Sequence, residues 1–508
     1  MSKRVVIIGG GLGGLFAGAI LAKEGYDVTI LEKNRNIGGG LQTFVRDGEV
    51  FETGMHILGG LRQGGSIHKI CNYLGILDKL NIKNVDADCA DTLHYLSDNA
   101  TYRFAEGREN FAADIARRFP GEAENIRRYV DAIYALTEEV DYYYLRHGAK
   151  VWFKSHSEEF MMPVDEFIAR YVEDPKLRDI LGYMNPMYGG VAGHTPAYVH
   201  ALISVLYING AGRFAGGSHQ LAEALRDVVT AAGGQVLAGA EVTEVAVENR
   251  EIRYVATADG SRFCADTYIS AIHPCSLLRM MDPSAFPRSY RNRLGEIPNS
   301  YSTFTVYLTL NDGRMPYINH TCYCQEDYGM VWNCGEYDDS WPRAFMYITP
   351  PEAEQGEFSR KMIIMAPMNF DAVRRWENTT VGKRGGEYEE WKRGCAERII
   401  SKMERIYPGL RADIRNVYTS SPLTIRDYYN VKEGAIYGYR KDCRNIELSQ
   451  LPIYTKVKNL LLTGQNVNLH GICGTPLTAV MTAETLVGEN VLVDKINHKY
   501  KISGYEND

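Results

Sequence analysis

The sequence predicts an α/β fold: a parallel sheet flanked by helices and interrupted by an inserted α+β unit. Three observations carry that expectation. Residues 3–32 read as strand, glycine turn, helix and strand; residues 459–486 read as strand, glycine turn and helix; and residues 283–440 read mostly as strands with one clear helix, 386–406. Strand–helix alternation at both ends around a middle of grouped strands describes one α/β unit with a second unit inserted into it.

The N-terminal stretch is the most informative. Val5, Val6, Ile7 and Ile8 form a β-branched run, as expected of a strand buried on both faces. Gly9, Gly11 and Gly14 then place G-x-G-x-x-G where that strand hands over to an apolar helix. The first glycine permits the tight turn, the second lets the backbone approach a pyrophosphate, and the third allows the helix to pack closely on the strand. The helix opening offers N–H groups and the positive end of its dipole to the phosphates. Glu32 ends the second strand at about the twenty-residue distance expected of the acid that holds a ribose 2′-OH. Glycine-rich turns are common, so the fingerprint alone is weak; strand, turn, helix, strand and acid together specify a Rossmann-type dinucleotide site. An acid at Glu32 repels a 2′-phosphate and disfavours NADP there. FAD and NAD both remain.

At 508 residues the chain predicts two or three domains. A net charge of -7 gives no support to nucleic-acid binding, which needs a basic face. The 34 tyrosines against 16 phenylalanines suggest cavities walled by amphipathic rings. Ten scattered cysteines include no C-x-x-C pair of zinc spacing, so no metal site is expected, and free thiols in a reducing cytoplasm are the expectation. Lys3 and Arg4 before an apolar segment imitate a signal peptide, but the fingerprint inside that segment fits a mature fold better. No apolar run of eighteen residues appears, so no membrane span is expected.

After Glu32 comes Lys33, then three consecutive glycines, Gly38, Gly39 and Gly40, followed by Leu41, Thr43 and Phe44; Phe51, Glu52, Gly54, Met55 and His56 follow. Three glycines make a turn whose backbone can approach a ligand closely. This succession resembles the FAD-containing amine oxidase and phytoene desaturase superfamily, and within it the branch of retinol saturases (retinol 13,14-reductases) and carotenoid isomerases. Gly40 stands where many desaturases and amine oxidases carry arginine, a departure from the desaturase pattern. The resemblance implies a Rossmann-type FAD-binding domain (residues 1–80, 210–282 and 445–508) with an inserted α+β substrate domain (81–209 and 283–444). It implies FAD contacts at Gly9, Gly11, Gly14, Glu32, Lys33, Gly39, Gly40 and Leu41, and at Val242 through its backbone to adenine.

Residues 86–104 read as short strands, and 109–144 and 163–183 as helices. Residues 198–208 are almost wholly apolar but too short to cross a bilayer, so a buried helix lining a cavity is expected. Gly210-x-Gly212-x-x-Ala215 imitates a second fingerprint but follows a helix, and is discounted. Ser218 is read as the N-cap of a helix over 219–232 that Gly233 and Gly234 end. Strands follow at 235–237, 241–247 and 267–272. Near the C-terminus, Gly464 follows an apolar strand; Thr475 is read as an N-cap and Pro476 as the first residue of a helix over 477–486. By resemblance this segment, with Gly464, Gly474 and Thr475, closes over the isoalloxazine and points a helix N-terminus at it.

The implied activity is an FAD-dependent oxidoreductase acting on carbon–carbon double bonds of a long apolar polyene or isoprenoid, by saturation, desaturation or isomerisation, with NAD(P)H admitted as electron donor. A flavin amine oxidase acting on a C–N bond is the alternative, and a flavin or lipid carrier a third reading. An apolar small-molecule substrate and peripheral contact with a membrane surface follow from the first reading. Saturation needs a proton beside the ring, which makes His56 and His470 the catalytic candidates.

Overall fold

The structure, a computed structural model, describes residues 3–149, 156–445 and 450–505. Strand β1 (Arg4–Ile8), helix α1 (Leu12–Lys23) and strand β2 (Asp27–Glu32) form where the sequence places them. β1 is central in a parallel sheet because both faces are apolar: Val5, Val6, Ile7 and Ile8 are all buried. Among the described residues the sheet order is Gln235–Ala238, β2, β1, Thr267–Ser270, Leu460–Leu462, every pair parallel. Thr267–Ser270, in mid-chain, and Leu460–Leu462, near the C-terminus, therefore return beside the first strand. Helix α1 packs between His219–Ala231 and the closing helix Gly471–Val487.

A second, seven-stranded sheet runs Ile414–Ser420, Ser302–Leu310, Lys361–Met368, Ala344–Ile348, Thr321–Gln325, Asp91–Tyr95, Thr101–Phe104. It is antiparallel except where Thr321–Gln325 pairs in parallel with Asp91–Tyr95. Segments more than 200 residues apart in sequence thus share one sheet. The long helix Gly386–Ile406 buries Cys395, Ile399, Ile400 and Met403 against that sheet. Helix Ala197–Ile208 is buried all round, as its unbroken apolar run requires. Residues 211–214, inside the discounted glycine motif, form a strand and no phosphate turn.

Two helix starts differ from the sequence reading. Ser218 does not cap the helix that follows; it is itself α-helical in conformation, and its hydroxyl donates to the Leu41 carbonyl at 3.0 Å, tying the glycine loop down. The closing helix begins at Gly471, so Thr475 is not its N-cap and Pro476 lies inside it. A proline at that position forfeits one backbone bond, to Ile472, and burial of Ile472 and Cys473 in the main core outweighs it. All ten cysteines are free thiols, and no metal-holding cluster occurs among the described residues. Among them, no helix is long and apolar enough to cross a membrane.

Candidate functional site

Four parallel strands end on one cavity of about 340 Å³. Gly9 and Gly11 after β1, Leu31 and Glu32 at the end of β2, Ala271 and Ile272 after Thr267–Ser270, and Gly464 and Gln465 after Leu460–Leu462 all line it. The carboxyl ends of such strands are where open α/β sheets take ligands, because loops there can vary while the sheet stays rigid.

The glycines divide by task. Gly9 has φ +104°, and a Cβ there would stand 2.8 Å from Ile272 Cγ2. A Cβ on Gly11 would meet only Gly39 Cα, at 3.9 Å, so its open side is the cavity. Gly14 does not line the cavity; a Cβ there would stand 1.9 Å from the Gly9 carbonyl oxygen, so it serves helix-on-strand packing. No side chain caps α1 and no acid occupies its first turn, which leaves its N–H groups for an anion.

Glu32 is buried and accepts the N–H groups of Gly10 and Asn34, each at 2.8 Å. A carboxylate has about four acceptor sites, so it can hold both turns and a sugar hydroxyl. Glu32→Ala is therefore expected to do two things: weaken dinucleotide binding and destabilise the ligand-free protein by about 1–3 kcal/mol, the cost of buried N–H groups left unpaired. Thermal unfolding of ligand-free protein checks the second effect, and an unchanged midpoint would refute it.

Lys33 lines the cavity while its amine donates to the Asp427 carbonyl at 2.7 Å, which commits the charge to the end of the helix Pro422–Tyr429. Gly39, with φ +58°, sits beside Gly11; Gly40 and Leu41 continue the wall, and Val242 also lines the cavity. Tyr429 Oη is the nearest atom to a Cβ built on Gly40, at 3.9 Å, and donates to Thr53. At the other end the lining residues of the closing helix include Gly471, Ile472, Cys473 and Thr475. Gly474 does not line the cavity: a Cβ there would stand 2.4 Å from Leu469 Cβ, so the glycine exists for packing. The uncapped start of this helix, without an acid in its first turn, is a second positive dipole end on the same space.

Both histidine candidates line the cavity, and their surroundings differ. His56 is buried, and its Nδ1 lies 3.3 Å from Glu52 Oε2, itself buried. That carboxylate holds the proton on Nδ1 and leaves Nε2 as the other ring nitrogen. His470 is buried next to the Lys441 charge, and burial first and that charge second push its pKa down to about 3. At neutral pH His470 is uncharged, which removes it as an imidazolium acid.

Part of the wall was not legible in the sequence. Thr303 and Thr305 from one strand of the large sheet, Met365 from the adjacent strand, Met346 from the strand beyond that, Tyr301 and Tyr437, and the segment Tyr428 to Val431 all reach the cavity. The alternation of Thr303 and Thr305 was visible, but nothing local marks the face they share. Met55, Met187, Ile203, Leu206, Met346 and Met365 give part of this wall an apolar lining, while Tyr428 sits by Glu32, its carbonyl accepting from Asn34 at 3.0 Å.

Comparison with known proteins agrees with this geometry. The chain is 25% identical over 96% of its length to all-trans-retinol 13,14-reductase of Macaca fascicularis, covering 86% of that protein. It is 24% identical over 97% of its length to 4,4'-diapolycopene oxygenase of Methylomonas sp, covering 99% of it. An oxidoreductase structure from Methanosarcina mazei shares the fold with a TM-score of 0.64 at 16% identity, over 95% of this chain and 100% of that one. The profile of flavin containing amine oxidoreductases matches residues 12–471. The profile match covers nine-tenths of the chain, and the glycine-lined cavity at the strand ends accords with it: the chain belongs to the flavin containing amine oxidoreductase family and is a flavin-dependent oxidoreductase.

Proposed function

We propose that the protein is an FAD-dependent oxidoreductase acting on carbon–carbon double bonds of a long apolar polyene or isoprenoid. The observation that carries this reading is the apolar half of the cavity, walled by Met187, Ile203, Leu206, Met346 and Met365, continuous with the glycine cradle. These wall residues carry no acid to pair with a polyamine's ammonium groups; among the described residues the acids lining the cavity are Glu32, at the end of β2, and Glu241, beside Val242. The printed names of the relatives, a retinol reductase and a carotenoid oxygenase, support the same substrate class.

In this reading Gly9, Gly11 and the start of α1 hold the diphosphate, Glu32 holds the adenosine ribose and Val242 meets adenine. Gly39, Gly40 and Leu41 lie beside the ring, and Gly464 and Thr475 flank it from the other side. Lys33 contributes its backbone, since its amine is engaged with Asp427. Residues 1–80, 210–282 and 445–508 form the FAD-binding domain, and 81–209 with 283–444 the substrate domain. When bound, the flavin supplies hydride exchange with carbon. The protein's own task is to exclude water with the methionine and aliphatic wall, to orient the chain, and to supply a proton from His56, held by Glu52. NAD(P)H is the proposed electron donor. An apolar substrate reaches such a site from lipid, so peripheral membrane contact belongs to the proposal.

The flavin is expected to be non-covalent. Cys473, the cysteine on the cavity wall, lies 3.3 Å from Ser66 Oγ, and burial pushes its thiol up to about 11, so it is not a thiolate poised for attachment. Acid precipitation should leave a colourless pellet and a yellow supernatant; flavin retained in the pellet would refute this. The substrate class is tested by anaerobic flavin spectra against a panel of polyenes, sterols and amines. Polyenes or isoprenoids should perturb or change the redox state of the flavin. Rapid bleaching by a simple polyamine, with silence toward every polyene, would overturn the proposal in favour of amine oxidation.

A further inference from the structure

The helix Pro422–Tyr429 ends at the main cavity, and each of its last three residues bonds to the N-terminal part of the chain. Lys33 Nζ donates to the Asp427 carbonyl at 2.7 Å, Asn34 Nδ2 to the Tyr428 carbonyl at 3.0 Å, and Tyr429 Oη to Thr53 Oγ1 at 2.9 Å. The last four carbonyls of a helix have no partner within it. Here two of them are satisfied by side chains 394 positions earlier, and the Lys33 charge sits at the negative end of the helix dipole. Gly54 belongs to the same fit, since a Cβ there would stand 2.8 Å from Tyr429 Oη.

Past the helix the chain continues as a strap. Asn430 and Val431 line the main cavity and also an outer cleft of about 670 Å³, so they form the partition between the two. Ser276 Oγ donates to the Asn430 carbonyl at 2.9 Å, and Asn299 Nδ2 to Glu433 Oε2 at 3.0 Å. Asn430 and Glu433 have φ +53° and +56°. Asparagine tolerates left-handed backbone, but at a glutamate it is strained, and such positions mark segments with a second arrangement. The fastenings are isolated hydrogen bonds beside a half-exposed Tyr428, and bonds of that kind exchange with water at small net cost.

We propose, resting on the flavin assignment above, that residues 427–433 are a latch on the cofactor site. Closed, the strap is fastened at Lys33, Asn34 and Thr53 and separates the cavity from the outer cleft. Released, it joins the two spaces and gives FAD its way in and out. A residue that only touches the cofactor slows release, whereas a latch slows passage in both directions. Loosening it therefore accelerates association as well as dissociation and leaves Kd nearly unchanged.

The test mixes flavin-free protein, as the full chain, with FAD in a stopped-flow cell and follows quenching of flavin fluorescence. Dissociation is read as fluorescence recovered on dilution. In the wild type the observed association rate should level off with rising FAD, at the rate of opening. Tyr429→Phe removes the bond to Thr53 and keeps the ring; Asn34→Ala frees the Tyr428 carbonyl. Each should raise the plateau and the dissociation rate by at least ~3-fold, and the double variant by at least ~10-fold, with Kd moving less than either rate. Faster dissociation at unchanged association would make these residues cofactor contacts and overturn the latch, as would unchanged rates in the double variant. A wild-type association rate that climbs linearly over the whole FAD range would also overturn it, and that measurement decides even where a variant misfolds. Gly11→Val protein that takes up FAD at wild-type rates would place the flavin elsewhere and remove the site and its latch together.

Discussion

Gly11→Val protein is expected to fold and to lose its flavin, whereas Gly14→Ala protein is expected to fail at folding itself. The two glycines belong to one fingerprint but face different things. At Gly11 a new Cβ meets nothing closer than Gly39 Cα at 3.9 Å, so the protein has room for a side chain on the cavity side. A valine there occupies the space through which a pyrophosphate must approach the backbone. The flavin Kd should rise at least ~100-fold, about 2.7 kcal/mol, with ligand-free unfolding little changed. At Gly14 the Cβ of alanine lands 1.9 Å from the Gly9 carbonyl oxygen, a backbone atom that cannot step aside without moving the turn. Overpacking of this kind costs ~1–3 kcal/mol or more, and here it separates α1 from β1. Flavin content and ligand-free thermal unfolding of both variants check the pair. Gly11→Val protein that binds flavin as well as wild type would refute the phosphate assignment.

His56→Ala is expected to keep its flavin and to lose turnover by ~10²–10⁴-fold, the usual contribution of a positioned acid or base. Saturating a double bond adds one hydride and one proton, and the second must come from a group beside the substrate. His56 lines the cavity with Nδ1 on Glu52, so Nε2 is the nitrogen left to face a substrate. Glu52→Gln should lower turnover less than His56→Ala, since an amide can still accept from Nδ1 but carries no charge. Product made in deuterium oxide should carry one solvent-derived deuterium. Full activity in His56→Ala protein would remove the residue from the mechanism. A product free of solvent deuterium would argue against saturation.

Local rules carried a large part of this protein. The order strand, glycine turn, helix, strand over residues 4–32 is legible because each requirement is short-range: β-branched residues for a buried strand, glycine where φ is positive or a backbone must approach, an acid at the strand end. Helix Gly386–Ile406 is equally legible, since its apolar positions recur on one face. The same local rules misplaced the start of the closing helix. Thr475-Pro476 satisfies every rule for an N-cap and first residue, yet Ile472 and Cys473 are buried in a core assembled from α1 and distant segments, and that burial extends the helix back to Gly471. Ser218 likewise satisfies the N-cap rule, but its hydroxyl has a partner at Leu41, 177 residues away. The cavity wall is the part that only tertiary structure decided. Thr303, Met346, Met365 and Tyr429 come from strands and a helix end hundreds of residues beyond the fingerprint, and nothing within a few residues of each says which face will look at the cavity. What separates His56 from His470 is decided at the same level. The two are the same side chain; one lies 3.3 Å from Glu52, and burial with Lys441 nearby lowers the pKa of the other to about 3.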